Sequence, residues 1–152
     1  GGADAEILTV GVCHLDNTQE GVRIQQLQAI LKAVEHSPKH LLLGDFNALR
    51  AADYTDVAWK GLCQFAEKAG WEPRQEGCYQ LLATREYRDA WEVCGRRESD
   101  RCTFYLPPVA MRLRIDYAFA SSAFTHRLLD CEVLQEVELS NHKPLRLCIE
   151  TP

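Results

Sequence analysis

Near the start of the chain, a stretch with helical apolar spacing lies between two short apolar runs, and this arrangement restricts the fold more than any other feature. Ile7–Cys13 (ILTVGVC) is an almost unbroken apolar run bounded by polar residues, which reads as a buried strand. Ile24, Leu27, Leu31 and Val34 then recur three or four residues apart and predict an amphipathic helix over 19–36. Asn17 or Thr18 can cap it, with Glu20 placed to complete a capping box from Asn17, and Ser37-Pro38 ends it. His40–Leu43 is a second buried strand, and Gly44 begins a sharp exit from it. A helix with one apolar stripe between two strands needs a sheet to cover, so an α/β layered structure is expected.

The rest of the chain continues the alternation. A second helix is expected over 55–69, capped by Asp53 or Thr55, with Val57, Leu62, Phe65 and Ala66 as its stripe and Gly70 at its C-terminal end. Residues 71–83 are weakly patterned, and Thr84–Val93 reads as a short helix carrying Tyr87 and Trp91. A polar loop at 95–101 leads to a short strand near Cys102–Tyr105, a Pro107-Pro108 turn and a strong strand at Leu113–Ala120. Leu128–Val137 and Leu145–Glu150 are further strands, the second preceded by a loop at 139–144. No repeat or linker divides the 152 residues, so one domain, or part of one, is expected. The chain begins Gly1-Gly2 without Met or a charged-then-apolar leader, as expected of an excised or processed segment with no secretory signal. No apolar run approaches the roughly 18–20 residues of a membrane span.

The seven cysteines (13, 63, 78, 94, 102, 131 and 148) form no C-x-x-C pair. Several lie in apolar runs, such as Val12-Cys13 and Leu147-Cys148-Ile149, where Cys behaves as a small hydrophobe. Buried reduced thiols are expected, and with them an intracellular, reducing compartment such as cytoplasm or nucleus; a disulfide framework or a zinc site is the alternative.

Four places carry polar groups where chemistry would need them. In Leu41-Leu42-Leu43-Gly44-Asp45-Phe46-Asn47 a buried strand ends in Gly, followed by a carboxylate and a carboxamide at strand period. A carboxylate is a hard metal ligand or a base for water, and an amide holds a phosphate oxygen without adding charge. A plain turn is the competing explanation, since Gly, Asp and Asn all favour turns. Arg114-Ile115-Asp116-Tyr117 places one carboxylate in an apolar strand, where it needs a partner: a catalytic His or simply a nearby Arg or Lys. Ser140-Asn141-His142-Lys143-Pro144 puts His142 on a loop, and Cys13-His14-Leu15-Asp16 puts His14 at a strand exit; either His taken alone is as well explained as surface. Strand exits of open α/β sheets are where ligands commonly bind.

Taken in order, these residues resemble the endonuclease/exonuclease/phosphatase superfamily, with its deoxyribonuclease-I-like fold. His14-Leu15-Asp16 is similar to the family's H-L-[DE], and Arg23-Ile24-Gln25-Gln26 to its R-x-x-Q. Gly44–Asn47 matches G-D-[FL]-N, and Arg114–Tyr117, preceded by Thr103, matches R-[IL]-D-[YW]. Ser140–Pro144 matches S-D-H-x-P with one change, and Arg88-Asp89-Ala90-Trp91 resembles another segment common there. The resemblance implies half of a four-layer α/β/β/α sandwich, with a mixed, mostly antiparallel sheet and flanking helices. It implies phosphoester hydrolysis assisted by one or two Mg²⁺ or Mn²⁺ ions. Asp45 would activate the attacking water and bind metal, and Asn47 would hold the scissile phosphate or assist the metal. His142 would be the general base or a phosphate contact, oriented by Asp116, and His14 would touch the phosphate. Asn141 would take part in metal and substrate binding.

Two departures qualify that expectation. The family's domain is longer, and its first half carries a metal-binding Glu and an Asn, so a complementary N-terminal segment or chain is the expected partner. The acidic position of S-D-H is Asn141 here, which removes a negative charge from the metal centre. The competing reading is a non-catalytic module serving binding or scaffolding. Nucleic acid is one candidate substrate. The formal charge of -5 supplies no basic face for long nucleic acids, although a bound cation can reverse the local field. Arg96, Arg97, Arg101, Arg112 and Arg114 cluster in sequence, either toward an anionic substrate or as a solvated surface.

Overall fold

The computed structural model describes residues 7–72, 75–95, 100–106 and 111–151. In chain order the first elements are β1 (Thr9–His14), α1 (Glu20–Val34), β2 (His40–Asp45), α2 (Asp56–Lys68), α3 (Gly77–Thr84), β3 (Arg88–Asp89) and α4 (Ala90–Cys94). Then come β4 (Phe104–Leu106), β5 (Met111–Leu113), β6 (Asp116–Ala120), β7 (Leu128–Val133) and β8 (Leu145–Ile149). β1 and β2 pair in parallel, which requires a crossover, and α1 supplies it. β6 lies antiparallel to β2, and β3 antiparallel to β6, giving a mixed sheet in the order β1-β2-β6-β3. β4-β5 and β7-β8 are antiparallel hairpins beside it.

Leu27, Leu31 and Val34 of α1 and Cys78 and Leu82 of α3 cover one face of the sheet, against Leu42, Phe46, Tyr117 and Phe119. Full burial of a residue such as Leu27 contributes roughly 1.5–3 kcal/mol, well above any helix propensity at that position. The opposite face packs Leu41, Ala118 and Ala120 on Trp91 of α4 and on Leu128, Cys131 and Val133 of β7. A smaller cluster joins Leu62 of α2 to Leu49, Leu113 and Ile115. Among the described residues no helix is long and apolar enough to cross a membrane.

Several expectations change. The first run is a strand, but an edge strand buried on one side only: Val10 and Val12 are 47% and 78% exposed, while Cys13 packs on the α1 core. Glu20 forms no capping box with Asn17. Its carboxylate turns inward, accepting from Cys78 N at 3.1 Å and Arg23 Nε at 2.9 Å, and Gln19 is the cap residue. Asp16 Oδ1 instead accepts the Thr18 and Gln19 amides. Val57 lies outside the buried stripe of α2, which consists of Leu62 and Ala66; Thr55 is its cap. Residues 71–83 contain most of α3, and the helix expected over 84–93 is a turn, β3 and the short α4.

The strand expected over 113–120 is broken at Arg114 and Ile115. Their backbone finds side chains instead of a ladder. Arg114 N donates to Tyr54 Oη, Ile115 N and Asp116 N both donate to Thr103 Oγ1, and the Arg114 carbonyl accepts from Tyr117 Oη. β7 ends at Val133, short of the expected Val137. The Pro107-Pro108 turn lies outside the described residues.

All seven cysteines are free thiols, and Cys78, Cys102 and Cys131 are buried, but Cys148 is exposed on the outer side of β8. Burial pushes the Cys13 thiol up to about 11 and those of Cys78 and Cys131 up to about 12. The thiolate is the reactive form. Iodoacetamide at pH 8 is therefore expected to alkylate Cys148 first and to leave Cys13, Cys78 and Cys131 untouched until guanidinium is added. Peptide mapping over time checks this, and early labelling of Cys78 or Cys131 would contradict the packing.

Candidate active site

The site forms where β1 and β2 end and β6 begins. Phe46, 1% exposed, turns into the core with its ring edge-on to Phe119 and Tyr117, and its N–H donates to the Ile115 carbonyl. This apolar anchor between two polar residues is what brings Asp45 and Asn47 to the strand exit. Asn47 takes a left-handed backbone (φ 46°), which Asn tolerates better than most residues. Asp45 Oδ1 accepts from Asn47 N at 2.8 Å, and Asn47 Nδ2 donates to the Leu15 carbonyl at 2.8 Å. One amide hydrogen of Asn47 is thus committed to tying the exits of β1 and β2 together.

Asp116, the first residue of β6, lies directly opposite Asp45 in the β2–β6 pairing. His142 Nδ1 stands 3.0 Å from Asp116 Oδ2. An ionised carboxylate only accepts, so Nδ1 carries the proton and Nε2 is left as the basic nitrogen. The loop that presents His142 is fastened on both sides: Tyr105 N donates to the Asn141 carbonyl and Lys143 N to the Thr103 carbonyl. The Phe104 ring lies 4.7 Å from the imidazole, centroid to centroid. His14, largely exposed, places Nε2 3.5 Å from Asp45 Oδ2.

Ligand atoms of Asp45, Asp116 and His142 lie within 4.8 Å of one another. Burial holds the Asp45 carboxyl above the usual carboxylate range; the Asn47 N–H opposes this and the nearby Asp116 charge adds to it. Two carboxylates crowded in this way fit a hard divalent cation, whose charge offsets both the desolvation and their mutual repulsion.

Beneath the site lies a buried charge network that sequence reasoning did not assemble. Arg114, 3% exposed, donates to Asp53 at 3.1 Å and Asp89 at 2.8 Å, with its guanidinium 4.4 Å from the centre of the Tyr117 ring. Arg50 and Arg101 also donate to Asp53. Tyr117 Oη donates to the Arg114 carbonyl at 2.8 Å and lies 3.1 Å from the Ala48 carbonyl, so the segments beside Asp116 and Asn47 are braced from one phenol. The arginines clustered in sequence therefore separate. Arg101 and Arg114 serve this network, Arg112 faces outward beside Asp100 and Gln135, and Arg96 and Arg97 lie outside the described residues.

The structure thus brings together Asp45, Asp116 and His142, with Asn47 and His14 beside them. Asn141 stands apart: it is exposed and lines a neighbouring cleft with Tyr105, Arg112 and Lys143. Asp116 is paired with a histidine, and Arg114 finds its carboxylates elsewhere. Thr103 and Tyr117, which the Arg114–Tyr117 motif and the Thr before it indicate, position the site together with Phe104, which had no sequence signal of its own. Asp89 had one, in the Arg88–Trp91 segment.

The Endonuclease/Exonuclease/phosphatase family model matches residues 3–142. No curated protein matches the sequence. Among solved structures, an AP endonuclease from Archaeoglobus fulgidus superposes with a TM-score of 0.69 at 15% identity, over 95% of this chain and 62% of that one. A 3′ phosphatase, NExo, from Neisseria, bound to product DNA hairpin, gives 0.63 at 22% identity, over 87% and 53%. A mannosyl-6-phosphatase from Bacteroides thetaiotaomicron gives 0.62 at 16% identity, over 92% and 50%. The chain thus spans about half the length of such proteins, 50% to 62% in these three.

Proposed function

The chain belongs to the endonuclease/exonuclease/phosphatase family, and from that membership we propose that it is the C-terminal part of a divalent-metal-dependent phosphoester hydrolase. The family's members are phosphoesterases. The observation that carries the reading to this chain is the convergence of Asp45, Asp116 and His142 within 4.8 Å at the strand exits. Asp45, at the exit of β2, positions or activates the attacking water. Asp116 holds His142 so that Nε2 meets the phosphoryl group, and Asn47 and His14 border the same space. Asp45 and Asp116 would hold Mg²⁺ or Mn²⁺, which would neutralise charge on the phosphoryl oxygens and the leaving group.

An N-terminal half of the domain, in the same polypeptide or another, completes the centre. The chain's share of its structural relatives supports this, as do the outer edge of β1, which pairs with no strand among the described residues, and the exposed Val10 and Val12. The free thiols fit a reducing, intracellular compartment. A non-catalytic binding module is the second reading, favoured by Asn141 where the family has an acid.

Mn²⁺ tests the centre without requiring turnover. In ¹⁵N spectra of the chain, Mn²⁺ is expected to broaden the amides around Asp45, Asp116 and His142 first, with Mg²⁺ competing it away. Broadening centred on the acidic surface elsewhere, with these signals unaffected, would remove the basis for the enzyme reading.

A further inference from the structure

A cleft of about 550 Å³ opens on the other side of the His142 loop, between the β4-β5 hairpin and residues 135–143. Its walls include Tyr105, Arg112, Ser140, Asn141 and Lys143, with Glu138 the one carboxylate among its lining residues. Neighbouring residues of an extended segment point to opposite sides. His142 lies on Phe104 and Asp116, whereas Asn141 and Lys143, one residue to either side, line the cleft. The walls are held rigidly, because the backbone bonds from Tyr105 to Asn141 and from Lys143 to Thr103 staple hairpin to loop.

The two cations of the cleft are held in place. Arg112 is paired with Asp100 and reaches Gln135, whose Nε2 donates to the Cys102 carbonyl at 2.7 Å. Lys143 Nζ donates to the Val137 carbonyl at 2.8 Å and keeps further hydrogens to give. Tyr105 stands opposite Arg112 in the hairpin and is 40% exposed. A cation pair, an amide, a hydroxyl and an exposed aromatic ring together suit one nucleotide: cations for its phosphate, a ring on which its base stacks.

We propose that this cleft is a subsite for a nucleotide flanking the scissile phosphate, which makes the preferred substrate a short single strand. The proposal rests on the phosphoesterase reading of the adjacent site. It agrees with the acidic balance of the chain, since one nucleotide needs two cations and no extended basic face.

The test is a titration of the ¹⁵N-labelled chain with the oligonucleotide dT4, with inorganic phosphate as the comparison, in the presence of Mg²⁺ and with Asp45→Asn to prevent cleavage. Shifts are expected at Tyr105, Arg112, Asn141 and Lys143. Tyr105→Ala should weaken dT4 binding roughly tenfold and leave phosphate binding unchanged, as loss of one stacked base requires. Lys143→Gln should weaken both and make dT4 binding less steeply salt-dependent. Shifts confined to position 45, Asp116 and His142, with Tyr105→Ala binding as tightly as the parent, would overturn the subsite while leaving the catalytic reading intact. Shifts in the cleft with no Mn²⁺ effect at Asp45 of the parent chain would leave a nucleotide-binding cleft but remove the hydrolase, and with it the subsite's place beside a scissile phosphate. Absence of dT4 binding at millimolar concentration would overturn the subsite outright.

Discussion

His142→Ala is expected to lower phosphodiester hydrolysis by roughly a hundred- to ten-thousand-fold in kcat, the usual contribution of a positioned proton-transfer group. Asp45→Ala should fall at least as far, because it removes both the water-facing base and a metal ligand. The assay is single-turnover hydrolysis of bis(p-nitrophenyl) phosphate in Mg²⁺ by the chain joined to the N-terminal half of a family domain. Stability effects are readily separated from these losses. His142 sits on a partly exposed loop, where a substitution typically costs about 1 kcal/mol, so a thermal melt near that of the parent should accompany the lost activity. Asp116→Asn distinguishes orientation from proton transfer. It preserves shape, accepts less strongly from Nδ1 and weakens one of the two carboxylate ligands, so it should lower activity less than His142→Ala and raise the Mg²⁺ concentration needed, with Asp45 still able to hold the ion. Full activity in either alanine variant would show that the convergence of Asp45, Asp116 and His142 is not the working site, and the roles assigned to these residues would be withdrawn.

The strand and helix flanking the site were legible because their signals are local. The Leu41–Leu43 run and the Ile24, Leu27, Leu31, Val34 spacing each identify a buried face without reference to the rest of the chain. Asp45, Asp116, His142 and His14 were legible for a different reason, as polar residues at strand exits in the order of a known family. α3 was not legible. Only Cys78 and Leu82 of its residues are buried, and its first turn is fastened by Glu20, a residue far away in sequence. The break at Arg114 and Ile115 was hidden in the same way, since the hydrogen bonds that replace the ladder come from Tyr54, Thr103 and Tyr117. Charge was the least readable quantity. Arg101, Arg112 and Arg114 look alike in sequence, yet one is buried between two aspartates, one braces Asp53 and one faces a cleft. Partners distant along the chain decide which, and no periodicity encodes them. Asn141 lines a cleft on the other side of the loop that presents His142.

The glycine before Asp45 carries the largest expected effect on folding. Gly44 has φ +131°, a region L side chains rarely adopt, and a Cβ placed there would stand 2.0 Å from the Cys13 carbonyl oxygen. The obstacle is the backbone of β1, paired with β2 at this residue, so no side-chain rotation relieves it. Strain of this kind costs roughly 1–3 kcal/mol and forced displacement in a packed core a similar amount. Gly44→Ala should therefore lose roughly 2–6 kcal/mol, a large part of the 5–15 kcal/mol typical of a domain. Two other glycines serve as controls. A Cβ at Gly11 meets the mobile Cδ2 of Leu42 at 3.0 Å and asks only a small adjustment. At Gly21, in α1, nothing lies within 4 Å, so alanine should stabilise by roughly 0.5–1 kcal/mol through helix propensity. Urea unfolding ranks the three, with a lowered midpoint at unchanged m reporting stability alone. Because His14 and Asp45 are the next pair in the same register, any Gly44→Ala protein that still folds should bind Mn²⁺ more weakly as well. A Gly44→Ala midpoint matching that of Gly11→Ala would mean that β1 does not approach the exit of β2 this closely, and the placement of Asp45 beside His14 would have to be withdrawn with it.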